Sequence, residues 1–160
     1  YNIPGRSVID MDAKTMIELA KLPNIVGVKD ATADLERPRI IAEKLNKEFC
    51  QLSGEDATAI QFNQAGGGGC ISVTANIAPK LCVEMQNLCQ QGKVDEAFAI
   101  QDKLMVLHDA MFCETSPGPV KYAAALLGIC SAELRLPLVE IAESSKIAVK
   151  NALQQLELLK

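Results

Sequence analysis

The sequence predicts an α/β fold in which a parallel sheet with outer helices is followed by a purely helical segment. Up to residue 73, three short apolar runs alternate with longer patterns in which apolar residues recur at helical spacing. Such alternation is typical of a parallel sheet, because the crossovers between parallel strands are usually helices. From residue 78 onward every pattern is helical. The chain has 160 residues, of which 49% are hydrophobic and 22% are charged, so it can bury a substantial core.

The three apolar runs are short, which indicates strands that are buried on both faces. We predict these strands at residues 25–28, 49–52 and 70–73. We expect helices before and between them, at residues 12–22, 35–45 and 57–64. Asp12 is expected to cap the first of these helices, and Pro38 falls in the first turn of the second, where proline is tolerated.

Two further segments are predicted to be turns. Residues 1–6 (YNIPGR) contain Pro4 next to Gly5, a pair that favours a turn. Residues 66–69 are four consecutive glycines that precede a strand. A nucleotide-binding glycine loop follows a strand and opens a helix, so we interpret the glycines as a tight turn and not as a phosphate cradle.

The helical segment is divided by Gly92, by the prolines at 117 and 119, and by Pro137. These breaks predict helices at residues 78–91, 94–112, 118–127 and 139–158. We therefore expect two domains, a partial βα unit at residues 1–92 and a helical domain at residues 93–160.

Composition excludes several functions. The net charge is −4, from 16 Lys and Arg against 20 Asp and Glu, and a nucleic-acid-binding surface would be basic. No apolar run reaches the roughly 18–20 residues of a membrane span. The six cysteines form no C-x-x-C pair and the single histidine has no cysteine at zinc-finger spacing, so no metal is predicted. We expect the cysteines to be small buried side chains in a reducing cytoplasm, with Cys82 and Cys89 on one helix face.

Lys29 is the residue most suggestive of chemistry. It directly follows the predicted strand at residues 25–28, and the carboxyl ends of parallel strands carry the active sites of α/β barrels. An amine held partly out of water loses its proton more readily, and a neutral amine can form an imine with a carbonyl substrate. The alternative is that Lys29 ends the strand and points into solvent, paired with Asp30 or Glu55.

Four motifs, in order and with compatible spacing, resemble the dihydrodipicolinate synthase family. These are YNIPGR (1–6), GVKDAT (27–32), LSGEDA (52–57) and GCISVTANIAP (69–79). The helical segment resembles that family as well, in PGPVKYAAALLG (117–128) and LRLPLVEIA (134–142). The resemblance implies a (β/α)8 TIM barrel, of which this chain would hold the C-terminal part, about strands six to eight, followed by an all-helical C-terminal domain.

The resemblance also implies roles for five residues. Lys29 would be the catalytic amine that forms a Schiff base with pyruvate, and Tyr1 would relay protons. Arg6 would bind the carboxylate of aspartate 4-semialdehyde, a task for which a guanidinium fork is suited. Ile71 and Gly54 would offer backbone contact and close access to the substrate. The product would be 4-hydroxy-tetrahydrodipicolinate, in the diaminopimelate route of lysine biosynthesis, and no cofactor is implied.

The chain departs from the family in lacking counterparts of its front half. That half supplies the threonines that bind the pyruvate carboxylate, a second tyrosine from a neighbouring subunit, and the allosteric lysine site. We therefore expect a piece of a longer or cleaved chain, weak or inactive alone, which pairs with another copy or with the missing half. The family implies a cytoplasmic homo-oligomer, often a tetramer.

Two alternatives stay open. Another pyruvate-dependent Schiff-base aldolase, such as N-acetylneuraminate lyase, shares the tyrosine and the lysine, although Arg6 favours the synthase. Alternatively, the chain is a non-catalytic fragment that acts only in self-association through its apolar helices and strand edges.

Overall fold

The computed structural model describes residues 1–45 and 48–159. The chain forms two compact units, Tyr1–Ser72 and Val73–Lys160. This division lies earlier than the expected boundary at residue 92. Helix α5 (Pro79–Gln90) packs against helix α6 (Val94–Met111), so α5 belongs to the helical unit.

The first unit is built on a three-stranded parallel sheet with the order β1–β2–β3. Its strands are β1 (Gly27–Asp30), β2 (Cys50–Ser53) and β3 (Gly69–Cys70). Asn2 forms an isolated parallel bridge with Asp30, on β1. The first segment of the chain therefore continues the sheet beyond β1. The predicted strands are present in the predicted order and direction.

The strand ends differ from the prediction. β1 begins at Gly27 and includes Lys29, because Lys29 pairs with Leu52 in the ladder and does not simply follow the strand. Burial on both faces is wrong for the start of the run, since Val26 is 70% exposed. β3 ends at Cys70, so Ile71 follows the strand. Backbone pairing, and not the apolar run, sets these ends.

Four helices precede or connect these strands along the chain. They are α1 (Pro4–Ser7), α2 (Ala13–Leu19), α3 (Glu36–Lys44) and α4 (Ala59–Gln64). The predicted turn at residues 1–6 is instead a single helical turn, α1, which ends where Val8 takes a left-handed backbone conformation with φ 62°. Asp12 caps α2 as predicted, because its Oδ1 accepts a hydrogen bond of 2.7 Å from the Thr15 N–H.

A small apolar core joins the sheet to two of the helices. Met16 of α2, Val28 of β1 and Ile41 of α3 are buried together, each with 6% or less of its surface exposed. Burial of an aliphatic side chain of this size stabilises the fold by about 1.5–3 kcal/mol. This core therefore fixes β1, the strand that carries Lys29.

The four glycines connect α4 to β3 in a tight turn, as predicted. Gly66 has φ +109°, a conformation that side chains rarely adopt, and a Cβ on Gly67 would lie 2.3 Å from Phe62 Cδ1. The turn therefore requires glycine for its backbone conformation and for the close approach of α4.

The second unit is helical and contains α5, α6, α7 (Gly118–Leu126) and α8 (Glu143–Gln155). A short 3-10 turn at Thr74–Asn76 precedes α5, and Thr74 Oγ1 lies 2.7 Å from His108 Nδ1 of α6 in the interior. α8 starts later than the predicted 139, because Ala142 has an extended backbone with ψ 154°. No helix within residues 1–45 and 48–159 is both long and apolar enough to cross a bilayer.

The prediction that the cysteines are buried is only partly right. Cys82 and Cys89 are buried on the same helix, α5, as predicted. Three others are exposed and one is half-buried; these are Cys50, Cys113, Cys130 and Cys70. Cys50 occupies the outward-facing first position of β2, which the apolar character of the run conceals.

Candidate active site

The candidate site lies at the carboxyl end of the sheet in the first unit. Lys29 is half-buried in β1, and its Nζ lies 4.1 Å from the centroid of the Tyr1 ring. An ammonium over the face of an aromatic ring is attracted by the ring's quadrupole. None of the ion pairs found among residues 1–45 and 48–159 includes Lys29, so the pairing with Asp30 or Glu55 that the alternative interpretation offered is not formed.

Backbone pairing brings Tyr1 next to Lys29. The Asn2 N–H donates to the Lys29 carbonyl, and the Ala31 N–H donates to the Asn2 carbonyl, both at 2.9 Å. Asn2 is therefore clamped beside β1 like a strand residue. The Tyr1 ring, which is 62% exposed, extends from this clamp over the amine.

Gly54 borders the stem of Lys29 on the other side. It follows β2, and its N–H donates to the Asp30 carbonyl at 2.6 Å. A Cβ at this position would lie 3.0 Å from Lys29 Cε and 2.8 Å from Ala31 Cβ. A glycine is therefore the residue that fits beside the lysine stem without displacing it.

The other two predicted residues, Ile71 and Arg6, lie in segments that continue from the same end of the sheet. The Ile71 N–H donates to the Ser53 carbonyl at 2.8 Å, which places Ile71 just beyond β3, with 47% of its surface exposed. Arg6 lies in α1, which follows the Asn2 bridge, and it is exposed. The structure thus places Tyr1 and Gly54 beside Lys29 and puts Ile71 and Arg6 on adjoining segments.

Buried polar side chains fix the turns after β1 and β2. The Asp30 carboxylate accepts hydrogen bonds from the Thr32 N–H at 2.8 Å and from its hydroxyl at 2.6 Å. The Ser53 hydroxyl accepts from the Glu55 N–H at 3.0 Å and donates to the Glu55 carbonyl at 2.9 Å. Such local side-chain bonds are typical of fixed turns, and they account for Asp30 and Thr32 of the GVKDAT motif and for Ser53 of the LSGEDA motif.

The sequence did not predict a hydrogen-bonded network that includes Asn2, the residue after Tyr1. The Asn2 amide donates to Asp10 Oδ1 at 2.9 Å, and Arg37 of α3 forms an ion pair with Asp10 Oδ2. The hydrogen bond from Arg37 and, to a smaller extent, the hydrogen bond from Asn2 lower the pKa of Asp10. The hydrogen bond to Asp10 raises the pKa of Arg37 in turn. The only signal in the sequence was an asparagine next to the candidate tyrosine.

The second unit contains a separate open cleft of about 480 Å³. It is lined by Pro117, Lys121, Ser131, Glu133, Leu134, Arg135 and Leu138. The Lys121 Nζ donates to the Glu133 carbonyl at 2.5 Å, so this amine is committed to a structural hydrogen bond. In the part of the chain that the structure describes, no group of three His, Cys, Asp or Glu side chains could hold a metal ion. We take the Tyr1–Lys29–Gly54 cluster as the candidate site, because its amine joins none of the ion pairs of the described residues and lies 4.1 Å from an aromatic ring.

Comparison with known proteins gives a consistent result along the chain. The model of the dihydrodipicolinate synthetase family matches residues 1–156. The 4-hydroxy-tetrahydrodipicolinate synthase of Rhodospirillum centenum is 57% identical over 159 residues, which are 99% of this chain and 55% of that protein. The enzyme of the same name from Acidiphilium cryptum is 58% identical over 159 residues, 99% of this chain and 54% of its own length.

Solved structures agree with the sequence relatives. The crystal structure of dihydrodipicolinate synthase from Aquifex aeolicus has a TM-score of 0.95 at 34% identity, and the match covers 99% of this chain and 54% of that one. The chloride-inhibited dihydrodipicolinate synthase of Acinetobacter baumannii, complexed with pyruvate, has a TM-score of 0.94 at 39% identity, with 99% and 55% covered.

These likenesses confirm the predicted fold class. The sheet and its helices are the C-terminal part of a (β/α)8 barrel, about strands six to eight, and an all-helical domain follows. The chain spans about half the length of the curated relatives it matches.

Proposed function

The chain belongs to the dihydrodipicolinate synthetase family, and from this premise we propose that Lys29 is the Schiff-base lysine of a lyase. The lyase would condense pyruvate with aspartate 4-semialdehyde to 4-hydroxy-tetrahydrodipicolinate, in the diaminopimelate route of lysine biosynthesis. The supporting observation is geometric: Lys29 Nζ lies 4.1 Å from the Tyr1 ring centroid.

In the proposed reaction the Lys29 amine first acts as a nucleophile and is released in the last step. The Lys29 nitrogen attacks the keto carbon of pyruvate, and loss of water gives the imine. Loss of a methyl proton then gives the enamine, whose carbon attacks the aldehyde of the semialdehyde and forms the new C–C bond. Finally, the amino group of the semialdehyde attacks the imine carbon, closes the ring and releases Lys29.

Tyr1 and Arg6 have complementary roles in this proposal. The Tyr1 hydroxyl both donates and accepts a proton, so it suits a relay to the departing water and to the new hydroxyl. Arg6, exposed on α1, would pair with the semialdehyde carboxylate in a forked geometry. Gly54 and Ile71 would form the wall beside the bound pyruvate, Gly54 by leaving space and Ile71 through its backbone.

We propose this activity for the complete catalytic assembly. Because the relatives are about twice as long as this chain, efficient turnover would require a segment equivalent to their remaining half. That segment would be the partner of this chain in the barrel. The complete barrels would assemble into a homo-oligomer, which we propose is a tetramer as in the family. None of the six cysteines, all of which lie within the described residues, forms a disulfide, which fits a reducing cytoplasm.

Imine trapping tests the proposal. The amino-terminal part of the Rhodospirillum centenum enzyme is fused ahead of Tyr1 to give a full-length chimera. The chimera is incubated with pyruvate, then with borohydride, and its mass is read after proteolysis. We expect one reduced pyruvate adduct, on Lys29, and turnover with aspartate 4-semialdehyde.

Two variants sharpen this test. Lys29→Ala is expected to lose the adduct and to lower kcat by at least about a thousandfold. Lys21→Ala is the matched control, because Lys21 is 63% exposed and pairs with Glu18. A folded chimera without an adduct on Lys29 would favour the non-catalytic alternative. An adduct together with turnover of N-acetylmannosamine in place of the semialdehyde would favour the N-acetylneuraminate lyase alternative.

A further inference from the structure

The position of the Tyr1 ring depends on the residue that follows it. Tyr1 is 62% exposed in the 160-residue chain, so within this chain its position over Lys29 depends mainly on the backbone from which it extends. Asn2, by contrast, is 1% exposed, and its backbone is bonded to Lys29 on one side and to Ala31 on the other. The direction in which Tyr1 leaves the sheet is therefore set at Asn2.

The Asn2 side chain is held by a loop eight residues away. Its Nδ2 donates to Asp10 Oδ1 at 2.9 Å, and its Oδ1 accepts from the Met11 N–H at 3.1 Å. A buried amide with both ends bonded has one orientation, because rotation would leave polar groups unpaired. Residues 10 and 11 thus lock Asn2.

Arg37 holds the same two residues from α3. Its Nη1 donates to the Met11 carbonyl at 2.8 Å, and its Nη2 pairs with the second carboxylate oxygen of Asp10. Its Nε donates to Asp34 at 3.3 Å, and its side chain is only 14% exposed. A planar fork can make these bonds at once, whereas a lysine ammonium could not reproduce their geometry.

We propose that Arg37 is a positioning residue for Tyr1, which acts through Asp10, Met11 and Asn2 without touching the substrate. This inference rests on the proposed function, because it takes Tyr1 to be the proton relay for Lys29. Removal of the guanidinium frees the 10–11 loop, then Asn2, and then the ring. The expected consequence is slower proton transfer with little change in pyruvate binding.

A double-mutant cycle in the chimera tests the route. Arg37→Gln is expected to lower kcat about tenfold and to leave the KM for pyruvate within about twofold. In a Tyr1→Phe background the same substitution should have no further effect. Arg39→Gln is the matched control on the same helix, since Arg39 is 58% exposed and pairs with Glu36 and Glu43, both also on α3. Losses that add in the double variant would overturn the proposal.

A second measurement is independent of turnover. With ring-¹³C tyrosine, the NMR signal that disappears in Tyr1→Phe identifies Tyr1. Arg37→Gln should shift this signal, and Arg39→Gln should not. Asp10→Asn, which keeps the shape of the side chain, should shift it as well, and it serves if Arg37→Gln does not fold. An unmoved Tyr1 signal in a folded Arg37 or Asp10 variant overturns the inference. Because this signal is read without pyruvate, it separates failure of the positioning role from failure of the Lys29 chemistry.

Discussion

At the residue scale, the site is defined by what surrounds one amine. Lys29 Nζ lies against the face of Tyr1 and not against a carboxylate. A carboxylate partner would favour the protonated amine, which is not nucleophilic. A phenol ring attracts the cation more weakly than a carboxylate would, and it belongs to a side chain that carries an exchangeable proton. The geometry thus suits an amine that must gain and lose a proton in each cycle.

Gly54→Ala tests the crowding around this amine. The new Cβ would lie 2.8 Å from Ala31 Cβ and 3.0 Å from Lys29 Cε, so either the β2 end or the lysine stem must shift. We expect the chimera to form the pyruvate adduct about tenfold more slowly and to lose about 1–3 kcal/mol of stability from overpacking. Borohydride trapping rates and thermal melts measure the two effects.

Gly5→Ala is the matched control for this substitution. A Cβ at Gly5 would meet nothing within 4 Å, although Gly5 also lies near the carboxyl end of the sheet. Its trapping rate and melting temperature should therefore match those of the parent chimera. If the Gly54 and Gly5 variants had the same trapping rate and melting temperature, Gly54 would not be packed against the Lys29 side chain as the structure indicates.

At the element scale, periodicity found the strands but not their ends. The sequence predicted three parallel strands correctly, because short apolar runs separated by helical patterns have few other folds. It misplaced β1 by excluding Lys29, since a charged residue can continue a ladder when its backbone still pairs, as Lys29 does with Leu52. It also missed the burial pattern of Cys50, because an exposed cysteine within an apolar run leaves no mark on composition.

How much of the candidate site the sequence could indicate depended on how local its contacts are. Lys29 was a candidate because a charged residue directly after an apolar run is unusual, and the motifs added Tyr1. The Arg37–Asp10 pair joins residues 27 positions apart, and no periodicity or local motif marks a pair of that separation. The pair forms because α3 packs beside the loop after α1, and this packing is visible only in the folded chain.

The start of α8 offers a prediction on pH. Glu114 Oε1 accepts a hydrogen bond of 2.8 Å from the Ala142 N–H, just before the helix. Hydrogen bonds from Ser145 and from Ala142 lower the pKa of Glu114. A lowered folded pKa means that its stabilising effect is present above the ordinary carboxyl pKa and is lost as pH falls through the folded value.

Glu114→Gln should therefore lower the melting temperature most at pH 7, and the gap to the parent should close on acidification toward pH 3. Thermal melts followed by circular dichroism across this range measure the gap. Glu84→Gln, an exposed position on α5, is the control and should show no comparable pH-dependent gap. A gap for Glu114→Gln that stays constant from pH 7 to pH 3 would show that the ionised carboxylate is not the source of the stabilisation.

At the scale of the whole molecule, the sheet has the order expected of a barrel segment. The Asn2 segment pairs with β1, β1 with β2, and β2 with β3, all in parallel. Within residues 1–45 and 48–159, no further strand pairs with the outer side of β3. An unpaired strand edge is a template for another strand. Under the proposed function, a segment equivalent to the other half of the relatives is required, and this edge is where such a segment would pair.

Complementation in trans tests that requirement. The amino-terminal half of the Rhodospirillum centenum enzyme, produced separately, is expected to bind this chain in a one-to-one ratio, because this chain is 57% identical to the part of that enzyme that it would replace. Mixing should raise turnover from slow or absent to at least about a hundredfold above either piece alone, since binding would supply the missing catalytic groups in place. Native mass spectrometry gives the ratio, and a steady-state assay gives the rate.

The Lys29→Ala chain serves as the control in this mixture. It should bind the added half as tightly as the parent does, since Lys29 contributes its amine and not the strand edge, yet the mixture should not turn over. Turnover by the 160-residue chain alone at the rate of the mixture would show that the second segment is dispensable. Binding without turnover by the parent chain would instead show that assembly of the barrel is not sufficient for activity, and borohydride trapping of the mixture with pyruvate would then show whether Lys29 still forms the imine.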